Sequence, residues 1–217
     1  MKNILIIGMG EFGKHIAKKL KELNNDICIV DIKKDVINAL SNTYENAYIV
    51  NCMQEHTLLD LGVKNFDICI VAISDNFQAS LEITSLLKEL GAKYIISKAS
   101  SDTQSKFLRM AGASEVVYPE KDIAEKTAVK CDASNLVDFV KINDEYEISE
   151  IHVPKDWVGR ALSELNLRSK FNINVIAVKN GEKVEIPGPN YSFKKDDFVF
   201  IIGTSKIIAK IYKKSKI

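Results

Sequence analysis

Short apolar runs alternate with longer amphipathic stretches from residue 1 to about residue 129. Six of the runs are rich in β-branched residues and show little polar alternation, which is typical of parallel strands covered on both faces. They lie at residues 3–7, 27–31, 47–50, 68–73, 94–98 and 115–118. The clearest helices are predicted at 11–23 and 78–90, where apolar positions recur with a helical period. The pattern predicts an α/β fold, a six-stranded parallel sheet with helices on both faces.

The pattern changes after the helix that follows Pro119. A polar stretch at 132–135 precedes an apolar run at 136–142, so we predict a first domain at 1–131, a hinge or crossover at 132–143 and a second domain at 144–217. The second domain is predicted to be a small α+β unit, with strands at 147–153, 174–179, 182–186 and 198–203 and a short helix at 160–165. Asn180-Gly181 is a strong hairpin signal. A unit of this size is expected to bury its core by forming a homodimer.

Charge and composition exclude several classes of protein. The 217 residues carry 30 basic and 29 acidic side chains, so nucleic acid is not an expected partner. No apolar run reaches the roughly 18 residues that cross a bilayer, and no secretory signal is recognisable. We therefore expect a cytoplasmic protein with its four cysteines reduced.

A glycine-rich loop carries the main chemical signal. Gly8-Met9-Gly10-Glu11-Phe12-Gly13 follows a predicted strand and opens a predicted helix, and Asp31 ends the next strand. This is the context of a Rossmann-type dinucleotide-binding fold: Gly8 permits the turn, Gly10 admits phosphates to the backbone, and Gly13 lets the helix pack closely. Asp31 is expected to accept hydrogen bonds from ribose hydroxyls, which disfavours NADP. The pocket suits NAD, ATP, ADP or AMP, and the alternative is that these glycines serve packing alone.

Catalytic groups are not recognisable in the sequence. His15, His56 and His152 fall outside any acid–base cluster, and no zinc, serine-hydrolase or Walker A motif occurs. A binding domain without chemistry favours a sensor over an enzyme. Two rival hypotheses remain, a small NAD-dependent oxidoreductase and an assembly module that binds no nucleotide.

Over nearly its whole length the chain resembles the RCK family, the KtrA, KtrC and TrkA type of regulatory subunit of bacterial potassium uptake. Beyond the glycine loop, the resemblance is carried by residues 65–67 with 71–73, 76–80, 86–90, 112–113, 118–122 and 165–171. It implies a homodimer that assembles into an octameric ring, docked at the inner face of the membrane on an integral-membrane potassium channel or transporter subunit. It also implies regulation by ATP, ADP or NAD(H).

The resemblance also implies roles for particular residues. Asn51, Cys52 and Ile73 would line the adenine pocket, and Lys98 and Gln104 would face the nucleotide. Glu120 would coordinate Mg²⁺ or Ca²⁺ near the phosphates, or else serve as an acidic residue at a helix N-terminus. Glu11 stands where relatives commonly carry an arginine, which is expected to weaken recognition of a triphosphate.

A second ligand is implied for the C-terminal domain. In KtrA and KtrC relatives this domain binds cyclic di-AMP, and the matching positions here are Leu162, Ser163, Arg168 and Pro189. Arg168 would contact phosphate, because a guanidinium can bind two oxygens. The alternative for Arg168 is a surface or interface ion pair.

Overall fold

A computed structural model describes residues 1–132 and 136–214 of the chain. Residues 133–135 of the predicted hinge and residues 215–217 of the second domain lie outside the described residues. The chain divides into two compact units, Met1–Lys121 and Asp122–Ile217. The division falls within helix α6, Pro119–Asp132, and not at the position predicted from the sequence. The helical pattern continues through this point, so it gave no signal of the division.

The first unit contains a fully parallel sheet. Its strands are β1 (Asn3–Ile7), β2 (Asp26–Asp31), β3 (Asn46–Ile49), β4 (Ile68–Val71), β5 (Ile95–Lys98) and β6 (Glu115–Val117). They are ordered β3-β2-β1-β4-β5-β6. The strand order runs outward in one direction from β1 and in the other from β4, so a crevice is expected at the carboxyl ends of these two strands. The six-stranded Rossmann-type sheet predicted from the sequence is confirmed.

Helices cover both faces of this sheet. They are α1 (Glu11–Glu22), α2 (Lys34–Leu40), α3 (Glu55–Asp60), α4 (Phe77–Glu89) and α5 (Asp102–Met110), with a 3₁₀ turn at Val63–Asn65. Alternate residues of β1 point to opposite faces: Ile4 and Ile6 belong to the core that contains Ala17 of α1. Leu5 and Ile7 belong to the core that contains Ile83 of α4. Burial on both faces explains why these strands lack polar alternation.

The second unit contains an antiparallel sheet. Its strands are β7 (Leu136–Lys141), β8 (Tyr146–His152), β9 (Asn174–Asn180), β10 (Lys183–Glu185) and β11 (Phe198–Thr204), in the order β10-β9-β11-β8-β7. The helices are α7 (Leu162–Leu165), α8 (Leu167–Phe171) and α9 (Ser205–Lys214), and a 3₁₀ turn lies at Lys155–Trp157. The predicted α+β class is confirmed. The structure differs in one respect, because the apolar run assigned to the hinge is strand β7, which pairs with β8.

The core of the second unit lies on one side of this sheet. Every second residue of β8 and β11 is buried, and Ile151, Val199 and Ile201 pack with Trp157 and Phe193. Among the described residues, no helix is both long enough and apolar enough to cross a membrane.

Candidate functional site

The glycine loop joins β1 to α1, and at two of its three glycines the backbone leaves no room for a side chain. Gly8 has a φ of +95°, which L side chains rarely adopt, and a Cβ there would lie 2.9 Å from Cγ1 of Ile73. A Cβ at Gly13 would lie 2.1 Å from the Gly8 carbonyl oxygen, so α1 packs against the loop because residue 13 lacks a side chain. At Gly10 an added Cβ would meet no atom within 4 Å. The open space beside Gly10 is where the loop can receive a ligand.

Asp31 at the end of β2 is tied to the glycine loop. Its Oδ2 atom accepts a hydrogen bond of 2.7 Å from the Met9 amide, and its Oδ1 atom accepts one of 2.8 Å from the Lys33 amide. Each carboxylate oxygen has a second lone pair for a further donor. The side chain is therefore fixed beside the loop while it can still accept hydrogen bonds from a ligand.

A cavity of about 480 Å³ opens at the carboxyl ends of β1, β2 and β4. This volume lies within the range of small-molecule sites. The lining includes nine residues that were expected to bind a nucleotide: Gly8, Gly10, Glu11, Phe12, Asp31, Asn51, Cys52, Ile73 and Lys98. The fold brings these residues together because the loops that follow parallel strands meet at one edge of the sheet.

Three other residues expected at the site lie outside the lining. Gly13 lies beneath the loop, where it allows α1 to approach. Gln104 is in the first turns of α5, and its Oε1 atom accepts a hydrogen bond of 2.9 Å from the Ser100 amide. Glu120 is in the first turn of α6 and reaches Lys98 of the lining.

Several lining residues were missed by reasoning from the sequence. Lys33 follows β2, while Ser74, Asp75 and Asn76 follow β4, and all four line the cavity. Lys33 and Asp75 form an exposed ion pair of 3.5 Å between the two loops. The available signal was their position directly after the carboxyl end of a parallel strand, the same signal that identified Asp31.

Lys98 is the buried cation of the cavity. Only 8% of its side chain is exposed, and its Nζ atom lies 2.6 Å from Oε1 of Glu120 and 2.9 Å from Oγ of Ser74. The same atom lies 5.4 Å from the centroid of the Phe12 ring. The hydrogen bond from Lys98 lowers the pKa of the Glu120 carboxyl below its ordinary value. The ammonium group therefore has a counter-ion, as a buried charge requires.

Glu11 points outward from the first turn of α1. Its side chain is 82% exposed, and Oε1 lies 3.0 Å from Nζ of Lys14. The hydrogen bond and charge of Lys14 lower the pKa of the Glu11 carboxyl. Because Lys14 offsets its charge and water surrounds it, Glu11 opposes an incoming phosphate less than the sequence alone suggested.

The thiol of Cys52 is in its neutral form at the cavity wall. Burial, with smaller contributions from Cys28 and Asp31, raises its pKa to about 12. In the part of the chain that the structure describes, no three His, Cys, Asp or Glu side chains are grouped to hold a metal ion. The neutral thiol of Cys52 presents a largely apolar surface to the cavity.

A larger cavity, of about 600 Å³, lies elsewhere in the first unit. It is lined by residues that begin β1, β2 and β3, among them Asn3, Asp26 and Asn46. Ligands of open α/β sheets bind at the carboxyl ends of the strands, whereas this cavity is at the amino ends. The smaller cavity is the candidate site because it alone combines the glycine loop, Asp31 and Lys98.

A separate cavity of about 250 Å³ lies in the second unit. Three of the residues that the resemblance assigns to a second ligand, Leu162, Ser163 and Arg168, line it. Pro189 is not in the lining, but its carbonyl oxygen accepts a hydrogen bond of 2.9 Å from the Ser163 amide. The four residues expected here are thus neighbours, although only three face the cavity.

The strand, glycine loop, helix and acidic residue define the first unit as a domain of the Rossmann class. Comparison with known proteins gives the family. Residues 4–119 match the TrkA-N domain, and residues 147–216 match the TrkA-C domain. The chain therefore belongs to the family of TrkA-N and TrkA-C proteins, and its resemblance to RCK proteins is confirmed.

Similar proteins include two from Bacillus subtilis (strain 168). Ktr system potassium uptake protein C is 34% identical over 214 residues, which cover 98% of this chain and 97% of that protein. Ktr system potassium uptake protein A is 34% identical over 210 residues, with 96% and 95% covered. Among solved structures, the GsuK RCK domain superposes with a TM-score of 0.69 at 18% identity and covers all of this chain. The chain spans about half of that GsuK chain, 48%.

Proposed function

We propose that this protein is a regulatory subunit of a potassium uptake system and binds an adenine nucleotide in the cavity beside the glycine loop. The observation that carries the proposal is the convergence of Gly10, Asp31 and Lys98 on one cavity. The full-length similarity to two Ktr potassium uptake proteins supplies the physiological context. The site supports the nucleotide-binding part of the proposal, and the relatives support the role in potassium uptake.

The phosphate, ribose and adenine of a nucleotide each find suitable residues in the lining of the cavity. The amino end of α1 and the open backbone at Gly10 suit a phosphate, because free amides and the helix dipole favour an anion there. Asp31 suits the ribose hydroxyls. Asn51, Cys52 and Ile73 offer the largely apolar surface that an adenine ring needs. ATP, ADP and NAD(H) share these parts, while the Asp31 carboxylate disfavours the additional phosphate of NADP.

Regulation requires no covalent step. A ligand shifts a conformational equilibrium when it binds one state more tightly than the other. We propose that homodimers of this chain assemble into an octameric ring, which docks at the cytoplasmic face on an integral-membrane potassium channel or transporter subunit. Nucleotide binding then shifts the conformational equilibrium of this ring. The alternatives are a small NAD-dependent oxidoreductase and an assembly module that binds no nucleotide.

Within the described part of the chain, the side chains alone do not form a site for a divalent cation. Glu120 offers one carboxylate, and that carboxylate is bound to the ammonium group of Lys98. Mg²⁺ prefers several oxygen ligands, including the phosphates of a substrate. A role for Mg²⁺ or Ca²⁺ would therefore depend on nucleotide phosphates and on Glu120 leaving Lys98.

A thermal-shift panel with AMP, ADP, ATP, NAD and NADH tests the proposed site. At least one adenine nucleotide should raise the melting temperature, because a ligand that binds only the folded state stabilises it. Asp31→Ala should remove the rise. Asp26→Ala is the matched control, since it removes an exposed aspartate at the opposite end of the same strand. A rise that survives Asp31→Ala would place the nucleotide elsewhere.

We propose in addition that the cavity of the second unit binds cyclic di-AMP, because Arg168 lies beside Leu162 and Ser163 at its wall. In the same panel, cyclic di-AMP should raise the melting temperature of the parent protein and of Lys170→Ala, but not of Arg168→Ala. Lys170 is an exposed cation of the same short helix, so it controls for charge. The absence of a shift in the parent protein would exclude the second site.

A further inference from the structure

Lys98 occupies a special position along the cavity. It ends β5, which is separated from β1 by β4, whereas Asp31 ends β2 on the other side of β1. Neighbouring strands lie roughly 4.8 Å apart, so β5 is about 10 Å from the strand that precedes the glycine loop. With the ribose at Asp31 and the first phosphate at Gly10, Lys98 is within reach only of the part of a nucleotide that extends beyond the first phosphate towards β5.

The ion pair of Lys98 with Glu120 is asymmetric in its exposure to water. The Lys98 side chain is 8% exposed and the Glu120 side chain 57% exposed. Glu120 can leave the pair and regain hydration, because most of its side chain already faces solvent. Lys98 cannot do the same, since a buried ammonium that loses its partner carries the full penalty of desolvation. Exchange of one anion for another is therefore the change that this pair permits most readily.

We propose that Lys98 selects nucleoside di- and triphosphates over monophosphates, and that Glu120 competes with their outer phosphates for the Lys98 ammonium group. This inference rests on the proposed nucleotide site. Without ligand, Glu120 is the counter-ion of Lys98. When a phosphate beyond the first one arrives, it takes the place of Glu120, and the carboxylate in the first turn of α6 is released.

Ser74 and Phe12 keep Lys98 in place during the exchange. The Ser74 hydroxyl accepts a hydrogen bond from Nζ, and the Phe12 ring lies beside the same atom. Both contacts are independent of Glu120 and come from residues that line the cavity. The ammonium group thus remains at the cavity wall whichever anion it binds, which is the preorganisation that selective binding requires.

Titration calorimetry on the full chain tests this competition, with AMP, ADP and ATP in buffer that contains EDTA. Removal of divalent cations ensures that a metal-ligand role of Glu120 does not contribute. Glu120→Gln should tighten ADP and ATP binding about three- to tenfold, as expected when a partly exposed ion pair no longer competes. AMP binding should change less than about twofold, since its single phosphate is held at Gly10.

Two further variants complete the experiment. Lys98→Met should weaken ADP and ATP, and in that background Glu120→Gln should have no additional effect. Glu125→Gln is the matched control, because it removes one exposed carboxylate from the same helix without touching Lys98. It should leave all three affinities unchanged.

The outcomes separate this inference from the proposed function. If the nucleotides bind but Glu120→Gln leaves ADP and ATP affinity unchanged or weaker, the competition is wrong and the nucleotide site stands. An equal gain for AMP would contradict the selection between mono- and diphosphates. If no adenine nucleotide binds the parent protein, the proposed function is wrong and the inference is overturned with it.

Discussion

At the scale of single residues, the three glycines of the loop have different tasks. Gly8 supplies a left-handed backbone conformation, and Gly13 supplies a close contact between α1 and the Gly8 carbonyl. Gly10 supplies neither, because the space around it is empty. Gly8 and Gly13 are therefore required by the fold itself, whereas a glycine at position 10 is required only if a ligand occupies the space beside it.

Alanine substitutions at two of these positions should differ in their effect on stability. In Gly13→Ala the new Cβ would lie 2.1 Å from the Gly8 carbonyl oxygen, so α1 must shift, at a cost of about 1–3 kcal/mol. Gly10→Ala meets no atom and has an accessible backbone conformation, with φ −67° and ψ −175°. It should leave the free energy of unfolding equal or raise it by up to about 1 kcal/mol. Urea unfolding of the ligand-free proteins measures both, and equal losses would contradict this account.

The sequence identified individual residues well where a motif fixes their position. The glycine loop and Asp31 are set by the spacing of a strand, a turn and a helix. Of these residues, Gly8, Gly10, Glu11, Phe12 and Asp31 line the cavity. The pair of Lys98 and Glu120 could not be predicted in the same way. It depends on how the end of β5 faces the start of α6, which is a tertiary contact without a local sequence signal.

At the scale of elements, the two sheets differ in how strongly the sequence encodes them. The strands of the first sheet are buried on both faces, so uninterrupted apolar runs reveal them. Strand β7 of the second sheet is buried only at Leu136 and Phe139, and its pattern resembles neither a buried strand nor strict alternation. For that reason the sequence predicted a hinge where the structure has a strand paired with β8.

A buried carboxylate joins the loops around β11. Asp197 has no exposed surface and accepts hydrogen bonds from Asn180 Nδ2 at 2.6 Å, the Tyr191 hydroxyl at 2.8 Å and the Lys194 amide at 2.8 Å. Burial, and then the hydrogen bond to Asp197, raises the pKa of Tyr191 to about 12. The tyrosine hydroxyl therefore remains a donor over the ordinary range of pH.

Loss of this carboxylate should destabilise the second unit. Asp197→Ala leaves three donors without their acceptor, and hydrogen bonds to charged groups contribute about 1.5–3 kcal/mol each. We expect a loss of at least about 3 kcal/mol in the free energy of unfolding. Asp196→Ala removes the exposed neighbouring aspartate and should change stability by less than about 0.5 kcal/mol. Similar losses in the two variants, measured by denaturant unfolding, would show that the three hydrogen bonds contribute little.

At the scale of the whole molecule, fold and family could both be predicted from the sequence. The order of strands, glycine loop and acidic residue gave the class of the first unit, and motifs scattered along both units gave the family. The choice among adenine nucleotides could not be predicted, because the loop and Asp31 recognise parts that these ligands share. The structure adds the burial of Lys98 at the cavity wall and its ion pair with Glu120, from which we propose that Lys98 distinguishes nucleotides by their number of phosphates.

The central claim is that the cavity beside Gly10 binds an adenine nucleotide. Titration calorimetry of ADP into the full chain and into Gly10→Val tests it most directly, because a valine side chain fills the space open to the ligand without meeting the protein within 4 Å of its Cβ. We predict binding of ADP to the parent protein and affinity at least about tenfold weaker in Gly10→Val, a difference of about 1.4 kcal/mol. Equal affinity in the two proteins, or no binding to the parent protein, would contradict the claim.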